Sequence, residues 1–214
     1  MASVQRLKSA REGWLHIFKI AYLLIALPFF LMGVMSLLVL PGAEPGQDTY
    51  DSLMLVAIFW TPVIVPLMIA IVSYQGCKKL LGRVTEALKA KDVFWPDDGY
   101  ELFLVNDGKY FGIDTKNGAI LYIHKIRKGQ VDVVGLTMGD WTNRELEGNK
   151  LRLYTKFPEL PCIEISTPWA QRWYDTLGAM EYKRYNPPKP FSLYVREHAE
   201  KLERENNIHI PKLG

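Results

Sequence analysis

The chain has 214 residues, of which 49% are hydrophobic and 23% are charged, and its formal net charge is +3. This hydrophobic content excludes a disordered chain, and the presence of only two cysteines excludes a disulfide framework. The small net charge lacks the strongly basic character of a nucleic-acid-binding domain. Residues 1–77 contain only four Lys or Arg and four Asp or Glu, so an apolar N-terminal third precedes a charged remainder.

Two long apolar runs make up most of this N-terminal third. The first, Ile20–Leu40, would form a helix about 32 Å long, close to the roughly 30 Å thickness of a bilayer core. A second uncharged run covers residues 52–77, after a short connection at 41–51. A cleaved signal peptide has a shorter apolar core and is not followed directly by a second span. The sequence therefore predicts a two-helix transmembrane hairpin over residues 20–77.

The charges that flank the two spans predict their orientation. Basic residues precede the first span and follow the second: Arg6, Lys8, Arg11, Lys19, Lys78, Lys79, Arg83, Lys89 and Lys91. The connection at 41–51 contains three acidic residues and no basic one. By the positive-inside rule, residues 1–19 and the C-terminal part lie in the cytoplasm, and the short loop lies outside. Neither span contains Asp, Glu, Lys, Arg or His, which argues against a proton or ion path.

Residues 78–97 are predicted to form a juxtamembrane helix and a linker. Apolar residues recur at helical spacing before Lys91, with basic residues on the opposite face: Leu80, Leu81, Val84 and Leu88. The lysines of this segment either contact anionic lipid or form a solvated flank.

Residues 98–181 are predicted to form a small domain of short strands closed by a helix. Six strands are predicted, at Glu101–Val105, Lys109–Asp114, Ala119–His124, Val131–Leu136, Lys150–Thr155 and Cys162–Ile165. Asn117-Gly118 is a strong hairpin signal between the second and third strands. Because no helix long enough for a parallel crossover separates them, the strands form an antiparallel sheet, a sandwich or a partly open barrel.

A C-terminal amphipathic helix is predicted to cover these strands. Thr167 is a suitable N-cap, and Pro168 suits the first helical position. Apolar residues then recur on one face: Trp169, Trp173, Leu177 and Met180. This α+β order of strands and closing helix, with the hairpin GIDTKNGAILYI, resembles the pleckstrin-homology-like (PH-like) domains of bacteria.

Residues 182–214 are predicted to form a Pro-rich linker, a charged helix and a tail. The linker contains Asn186–Pro190, and Ser192 could cap a helix from Leu193 to about Glu205. Opposite charges four residues apart on this helix are typical of a solvated surface, with docking of a partner as the alternative. Residues 208–214 are expected to be a loose tail.

The sequence contains no motif for catalysis, a cofactor or a metal. The four histidines do not have metal-ligand spacing, and neither a phosphate-binding glycine loop nor a nucleophile elbow is present. Several carboxylates lie in turn contexts, where Asp is favoured for backbone reasons: Asp97, Asp98, Asp107, Asp114 and Asp140. We therefore expect the chain to have no catalytic, cofactor-binding or metal-binding residues. We also expect that the protein is not an enzyme.

One basic cluster is a candidate binding site. Lys125, Arg127 and Lys128 follow His124 in a predicted turn between two strands. Lys and Arg bind phosphate oxygens through charge-assisted hydrogen bonds, so this turn could contact phosphate or anionic lipid. Lipid-binding PH domains carry such a basic loop in the first hairpin, whereas here it follows the third predicted strand. The alternative is a solvated polar loop.

A broader resemblance covers most of the chain. The first span of the chain contains ALPFFLMGVMSLLVLPG. The C-terminal part of the chain contains KYFGIDTKNGAILYI and WTNRELEGNKLRLYTKFPELPCIEIS. These segments resemble the surface (entry) exclusion proteins of IncI-type conjugative plasmids. The resemblance implies a protein of the recipient's inner membrane that blocks redundant plasmid transfer. It also implies that a component of the donor's transfer apparatus is the binding partner.

Two other classes of function stay open from the sequence. One is a membrane-anchored PH-like module that binds lipid head groups or a regulatory protein, and the other is a membrane enzyme without a recognisable site. If exclusion is the function, the cytoplasmic domain offers a partner more surface than the short loop at 41–51. We therefore expect that domain to determine specificity, with the spans as its anchor. The sequence predicts neither a nucleic-acid partner nor an oligomeric state.

Overall fold

The computed structural model describes residues 11–39 and 47–211. The chain divides into two compact units. We call Leu7–Ser73 the helical unit, and the unit that contains Tyr74–Gly214 the α+β unit.

The helical unit contains helix α1 (Arg11–Val39) and the first part of helix α2 (Gln47–Leu88). Both helices are long and apolar enough to cross a membrane, over Ile20–Leu38 and Leu53–Leu88. Their apolar side chains are widely exposed, as a lipid-facing surface requires; Leu38, for example, is 70% exposed. The two predicted apolar helices are confirmed, and their insertion into a membrane stays a prediction.

The connection between the helices is shorter than predicted. Helix α2 begins at Gln47, so residues 47–51 of the predicted loop are helical, and residues 41–46 lie outside the described residues. Within the helical unit, Trp60 of α2 contacts α1 in two ways. Its ring packs edge-on against Phe30 at a centroid distance of 5.8 Å, and its indole N–H donates to the carbonyl oxygen of Gly33 over 3.3 Å. A polar hydrogen bond therefore joins the two apolar helices.

Helix α2 continues into the α+β unit without a break. The helix predicted after residue 77 is present, and its residues are the last turns of α2, which ends at Leu88. Leu81, Val84 and Leu88 are fully buried in the core of the α+β unit. The apolar stripe of this segment thus covers a sheet rather than a lipid surface.

The α+β unit contains seven strands where six were predicted, in the part of the chain that the structure describes. They are β1 (Glu101–Leu104), β2 (Lys109–Asp114), β3 (Ala119–Arg127), β4 (Gln130–Thr137), β5 (Trp141–Glu147), β6 (Lys150–Thr155) and β7 (Cys162–Ser166). The predicted bounds of β2 and β6 are confirmed. Strand β5 was missed, because only Trp141 and Leu146 are apolar in this largely exposed edge strand.

All pairings between these seven strands are antiparallel, and they form two sheets, as predicted in outline. The first sheet has the order β1-β2-β3-β4, and the second has the order β5-β6-β7. The Asn117-Gly118 turn joins β2 to β3, with Asp114 opposite Ala119. A single turn of 3₁₀ helix, Val105–Asp107, separates β1 from β2.

The four-stranded sheet has an apolar core on each face. Alternate residues of β2 belong to different cores, with Tyr110 on one side and Phe111 on the other. The Phe111 side packs against the three-stranded sheet and helix α3 (Ala170–Glu181), which contributes Trp173, Leu177 and Met180. Helix α3 begins two positions after Pro168, since Thr167 and Pro168 form a turn whose Thr167 carbonyl accepts the Ala170 N–H.

The opposite face of the four-stranded sheet is covered by α2 and by helix α4 (Phe191–Asn206). The prediction of a solvated C-terminal helix is wrong, because Phe191, Val195 and Leu202 are buried against the sheet. Gly135 of β4 allows this packing: a β-carbon there would lie 2.7 Å from a methyl carbon of Val195. The predicted loose tail is also partly ordered, since Ile210 is buried and His209 forms a bridge with Gln130.

Candidate functional site

The predicted basic turn is divided between a strand and a hairpin turn. Lys125 and Arg127 are the last residues of β3, where the register shifts, and Lys128 and Gly129 form the turn into β4. The side chain of Lys125 is half-buried, whereas Arg127 and Lys128 are exposed. Two basic side chains are therefore exposed to solvent at this hairpin, and the third, that of Lys125, is partly covered.

The last residues of β3 lie beside the turn between β1 and β2. The Lys125 amide donates to the carbonyl oxygen of Gly108 over 2.8 Å. A β-carbon on Gly108 would lie 3.2 Å from Cβ of Lys125 and 3.9 Å from Sγ of Cys77. Cys77 and the β3–β4 hairpin are thus neighbours in the folded unit.

Arg127 and Lys128 form no ion pair with any described residue, whereas some other basic side chains of the α+β unit do. Lys89 pairs with Glu86 and Glu101, and Arg152 pairs with Glu147 and Glu164. These two exposed cations at the hairpin are therefore available to an external anion.

The carboxylates that a catalytic site would need bind backbone groups instead. Asp114 is buried and accepts hydrogen bonds from the backbone amides of Trp95, Lys116 and Asn117, all within 2.9 Å. Asp97 and Asp140 have the same role, accepting from the amide and hydroxyl of Thr115 and Thr137 respectively. The predicted backbone role of these three Asp residues is confirmed.

The histidines of the α+β unit are likewise held in local contacts. His198 stacks on Tyr194 at a centroid distance of 4.1 Å, and Nδ1 of His209 lies 2.9 Å from a carboxylate oxygen of Glu203. Among residues 11–39 and 47–211, no group of three or more His, Cys, Asp or Glu could hold a metal ion.

The outer face of the three-stranded sheet carries a network of charged side chains that the sequence did not predict. Arg152 on the central strand β6 contacts Glu147 of β5 at 2.7 Å and Glu164 of β7 at 3.1 Å. Tyr154 donates to Glu145 over 2.7 Å, and this hydrogen bond raises the pKa of the tyrosine. The alternation of apolar and charged residues in β6 was the available signal. This face is an ordered polar surface.

Two neighbouring depressions lie at the opposite end of the four-stranded sheet, around the β2–β3 turn. Their volumes are about 460 and 420 Å³, and both are lined by Asn117, Asn186 and Pro187. Tyr185 lies over Gly118, because a β-carbon there would be 2.5 Å from its ring. The Pro-rich segment predicted as a linker therefore packs on the hairpin and shapes this end of the unit.

The described residues define an α+β module with a charged, well-ordered surface, joined to two apolar helices that suggest membrane association. The family model for exclusion-determining proteins matches residues 2–214. The chain therefore belongs to the exclusion-determining protein family, which supports a role in exclusion and is not a known enzyme family. Comparison with curated proteins and with solved structures finds no match.

Proposed function

We propose that this chain is an inner-membrane protein that mediates surface exclusion of an IncI-type conjugative plasmid by binding a component of the donor's transfer apparatus. The observation that carries the proposal is the family match over residues 2–214, which includes both the apolar helices and the α+β unit. Binding rather than catalysis is the proposed activity, and blocking of redundant transfer is its consequence.

The proposed location rests on the two apolar helices and on the charges around them. Basic residues flank the pair on the sides of both termini, and acidic residues lie in the connection between them. We therefore place both termini in the cytoplasm. Fusion of a fluorescent protein and of alkaline phosphatase to the C-terminus tests this topology, since the first is active in the cytoplasm and the second in the periplasm. Phosphatase activity with loss of fluorescence would contradict it.

The α+β unit is the proposed recognition surface. A stable protein interface buries roughly 800 Å² per partner, which a short loop between two helices cannot supply alone. Strands, helices and the Arg152 network give this unit a large, fixed surface. The order of four strands, three strands and closing helix α3 also supports the PH-like prediction for this unit. Fold likeness alone assigns no ligand.

Mating experiments test the exclusion proposal directly. Recipients that express the chain, or carry an empty vector, are mated with donors of a related IncI plasmid and of an unrelated plasmid. We expect transfer of the related plasmid to fall and transfer of the unrelated plasmid to stay constant. Unchanged transfer of the related plasmid, with the protein detected in the membrane fraction, would refute the proposal.

A domain exchange tests which part recognises the donor. Residues 74–214 are exchanged between two family members of different exclusion groups, while each keeps its own helical unit. We expect specificity to follow the α+β unit. If specificity instead stays with the helical unit, the connection between the two helices is the recognition element.

A further inference from the structure

The α+β unit has two distinct ends, fixed by the direction of α2 against the four-stranded sheet. At one end, Cys77 lies beside Gly108 and Lys125, near the β3–β4 turn. At the other end, shortly after α2 finishes, the carbonyl oxygen of Lys91 accepts a 3.4 Å hydrogen bond from the Asn117 side chain in the β2–β3 turn. Helix α2 therefore runs antiparallel to β3. The β3–β4 turn lies at the end where the chain enters the unit.

This end of the unit is basic. We use the name basic end for five residues: Lys78, Lys79, Lys125, Arg127 and Lys128. Four of them are exposed, and Lys125 is half-buried. Asp107, next to Gly108, is an exposed carboxylate at this end, and Glu203 is held by His209 beside the turn. Positive charge therefore exceeds negative charge at this end.

This end lies next to the last residues of the uncharged run of α2. The uncharged run 52–77 finishes at Cys77, and two of the five basic residues follow it immediately. A helix that leaves a bilayer at this point brings the neighbouring surface of the protein to the level of the lipid head groups. The β3–β4 hairpin adds Lys125, Arg127 and Lys128 to that level, although they are about fifty residues away in the sequence.

We propose that the basic end docks on the anionic head groups of the membrane surface from which α2 emerges. The ligand is the charged lipid surface rather than a single phosphate, because the basic residues are spread over helix α2 and the β3–β4 hairpin. Docking would hold the α+β unit against the membrane. It would leave two features accessible to a partner: the charged network around Arg152 and the two depressions lined by Asn117. The proposal rests on the membrane insertion proposed above and is independent of exclusion.

The test uses the full chain in nanodiscs of phosphatidylcholine, with or without phosphatidylglycerol. The rate at which an acetylating reagent modifies Lys128 reports its contact with the surface. We expect roughly fivefold slower modification in the anionic discs, the effect of one basic residue held near an anionic surface. The difference should vanish at about 1 M salt, where the Debye length is about 3 Å. Lys116, in the β2–β3 turn at the opposite end, should react equally in both discs.

A matched pair of charge-neutralising variants separates docking from simple proximity. Arg127→Gln should reduce the protection of Lys128, whereas Lys116→Gln, also in an exposed hairpin region, should leave it unchanged. Equal Lys128 rates in the two kinds of disc would overturn the proposal. So would protection by inorganic phosphate in discs without anionic lipid, which would indicate a phosphate site. Co-elution of the chain with the discs reports insertion separately, so a failure of insertion is distinguishable from a failure of docking.

Discussion

The hydroxyl group of Tyr22 in α1 donates to the carbonyl oxygen of Pro62 in α2 over 3.1 Å, and the carbonyl oxygen of Val63 is equally close. Pro66 lies four residues after Pro62 and has no N–H, so it cannot make the helical hydrogen bond to the Pro62 carbonyl. In an apolar surrounding, an unpaired carbonyl costs free energy. The tyrosine of the other helix therefore satisfies the group that the proline leaves unpaired.

Removing this hydroxyl should weaken the pairing of the two helices. Tyr22→Phe leaves the Pro62 carbonyl unpaired, and we expect a loss of about 1 kcal/mol in the free energy of unfolding of the helical unit. Unfolding by SDS from mixed micelles, followed by circular dichroism, measures it. Tyr50→Phe is the control, because Tyr50 lies in the helical unit, is 77% exposed and has no hydrogen bond to any described residue.

A double-mutant cycle tests the proposed cause. Pro66→Ala restores an N–H that can donate to the Pro62 carbonyl, so the cost of Tyr22→Phe should shrink in that background. An unchanged cost would show that the tyrosine acts through packing alone.

The β2–β3 turn depends on Gly118, and a second glycine provides a matched comparison. Gly118 and Gly148 both have positive φ, at 68° and 56°, so an alanine at either incurs a backbone cost of roughly 1–2 kcal/mol. Only at Gly118 would the new β-carbon also meet a ring, that of Tyr185. We expect Gly118→Ala to destabilise the α+β unit more than Gly148→Ala in urea unfolding followed by tryptophan fluorescence. Equal effects would mean that Tyr185 moves aside freely.

Asp114 should be among the most sensitive polar residues of the α+β unit. Its buried carboxylate accepts from three backbone amides and from the side-chain amide of Asn117 at 2.7 Å. Asp114→Asn replaces one acceptor oxygen by a donor and should cost about 2–3 kcal/mol of unfolding free energy. The same change at the exposed Asp98 should cost little. A small effect at Asp114, measured by the same urea titration, would contradict the importance of this hydrogen-bond cluster.

Stability of the α+β unit should fall at alkaline pH because of Tyr110. Burial, and then the charge of Glu101, raises the pKa of Tyr110 well above its ordinary value. The unfolded chain loses this proton above about pH 10 while the folded state keeps it, so the contribution is complete below pH 10 and is lost as pH rises further. The free energy of unfolding should fall by at most about 1.4 kcal/mol per pH unit as a result of this one group.

The Tyr110→Phe variant should make this alkaline decline shallower. It should also lower stability at neutral pH by about 1 kcal/mol, because the 3.0 Å hydrogen bond to Glu101 is lost. Tyr182→Phe, at a side chain that is 90% exposed, is the control. Urea unfolding at a series of pH values gives both slopes. Identical slopes for the wild type and the Tyr110 variant would show that another group causes the decline.

Elements with strong local signals could be predicted from the sequence. Strands β2 and β6 have the expected bounds, because Asn117-Gly118 marks the end of one hairpin arm and Leu151 and Leu153 alternate with polar residues in the other strand. Strand β5 gave no such signal, since the chain forms it through backbone pairing with β6 rather than through its own apolar residues.

What the helices cover could not be predicted. The apolar residues of α4 were visible, but a periodic stripe does not say which surface it meets. Gly135 in the middle of β4 was the overlooked signal, because a glycine inside a strand often marks the close approach of another element. The position of the basic end was equally hidden, since Cys77 and the β3–β4 hairpin are distant in the chain but both lie close to Gly108.

The burial of Leu81, Val84 and Leu88 in the α+β core affects how family members could exchange parts during evolution. Recombination between plasmids just after the end of α2, near residue 91, would join the sheet of one family member to the α2 side chains of another. Those side chains would have evolved to pack on a different sheet. A crossover near Tyr74 would transfer the last turns of α2 together with the strands that they cover. We therefore expect viable natural chimaeras to have their breakpoints inside the apolar half of the helix, before any basic residue is reached.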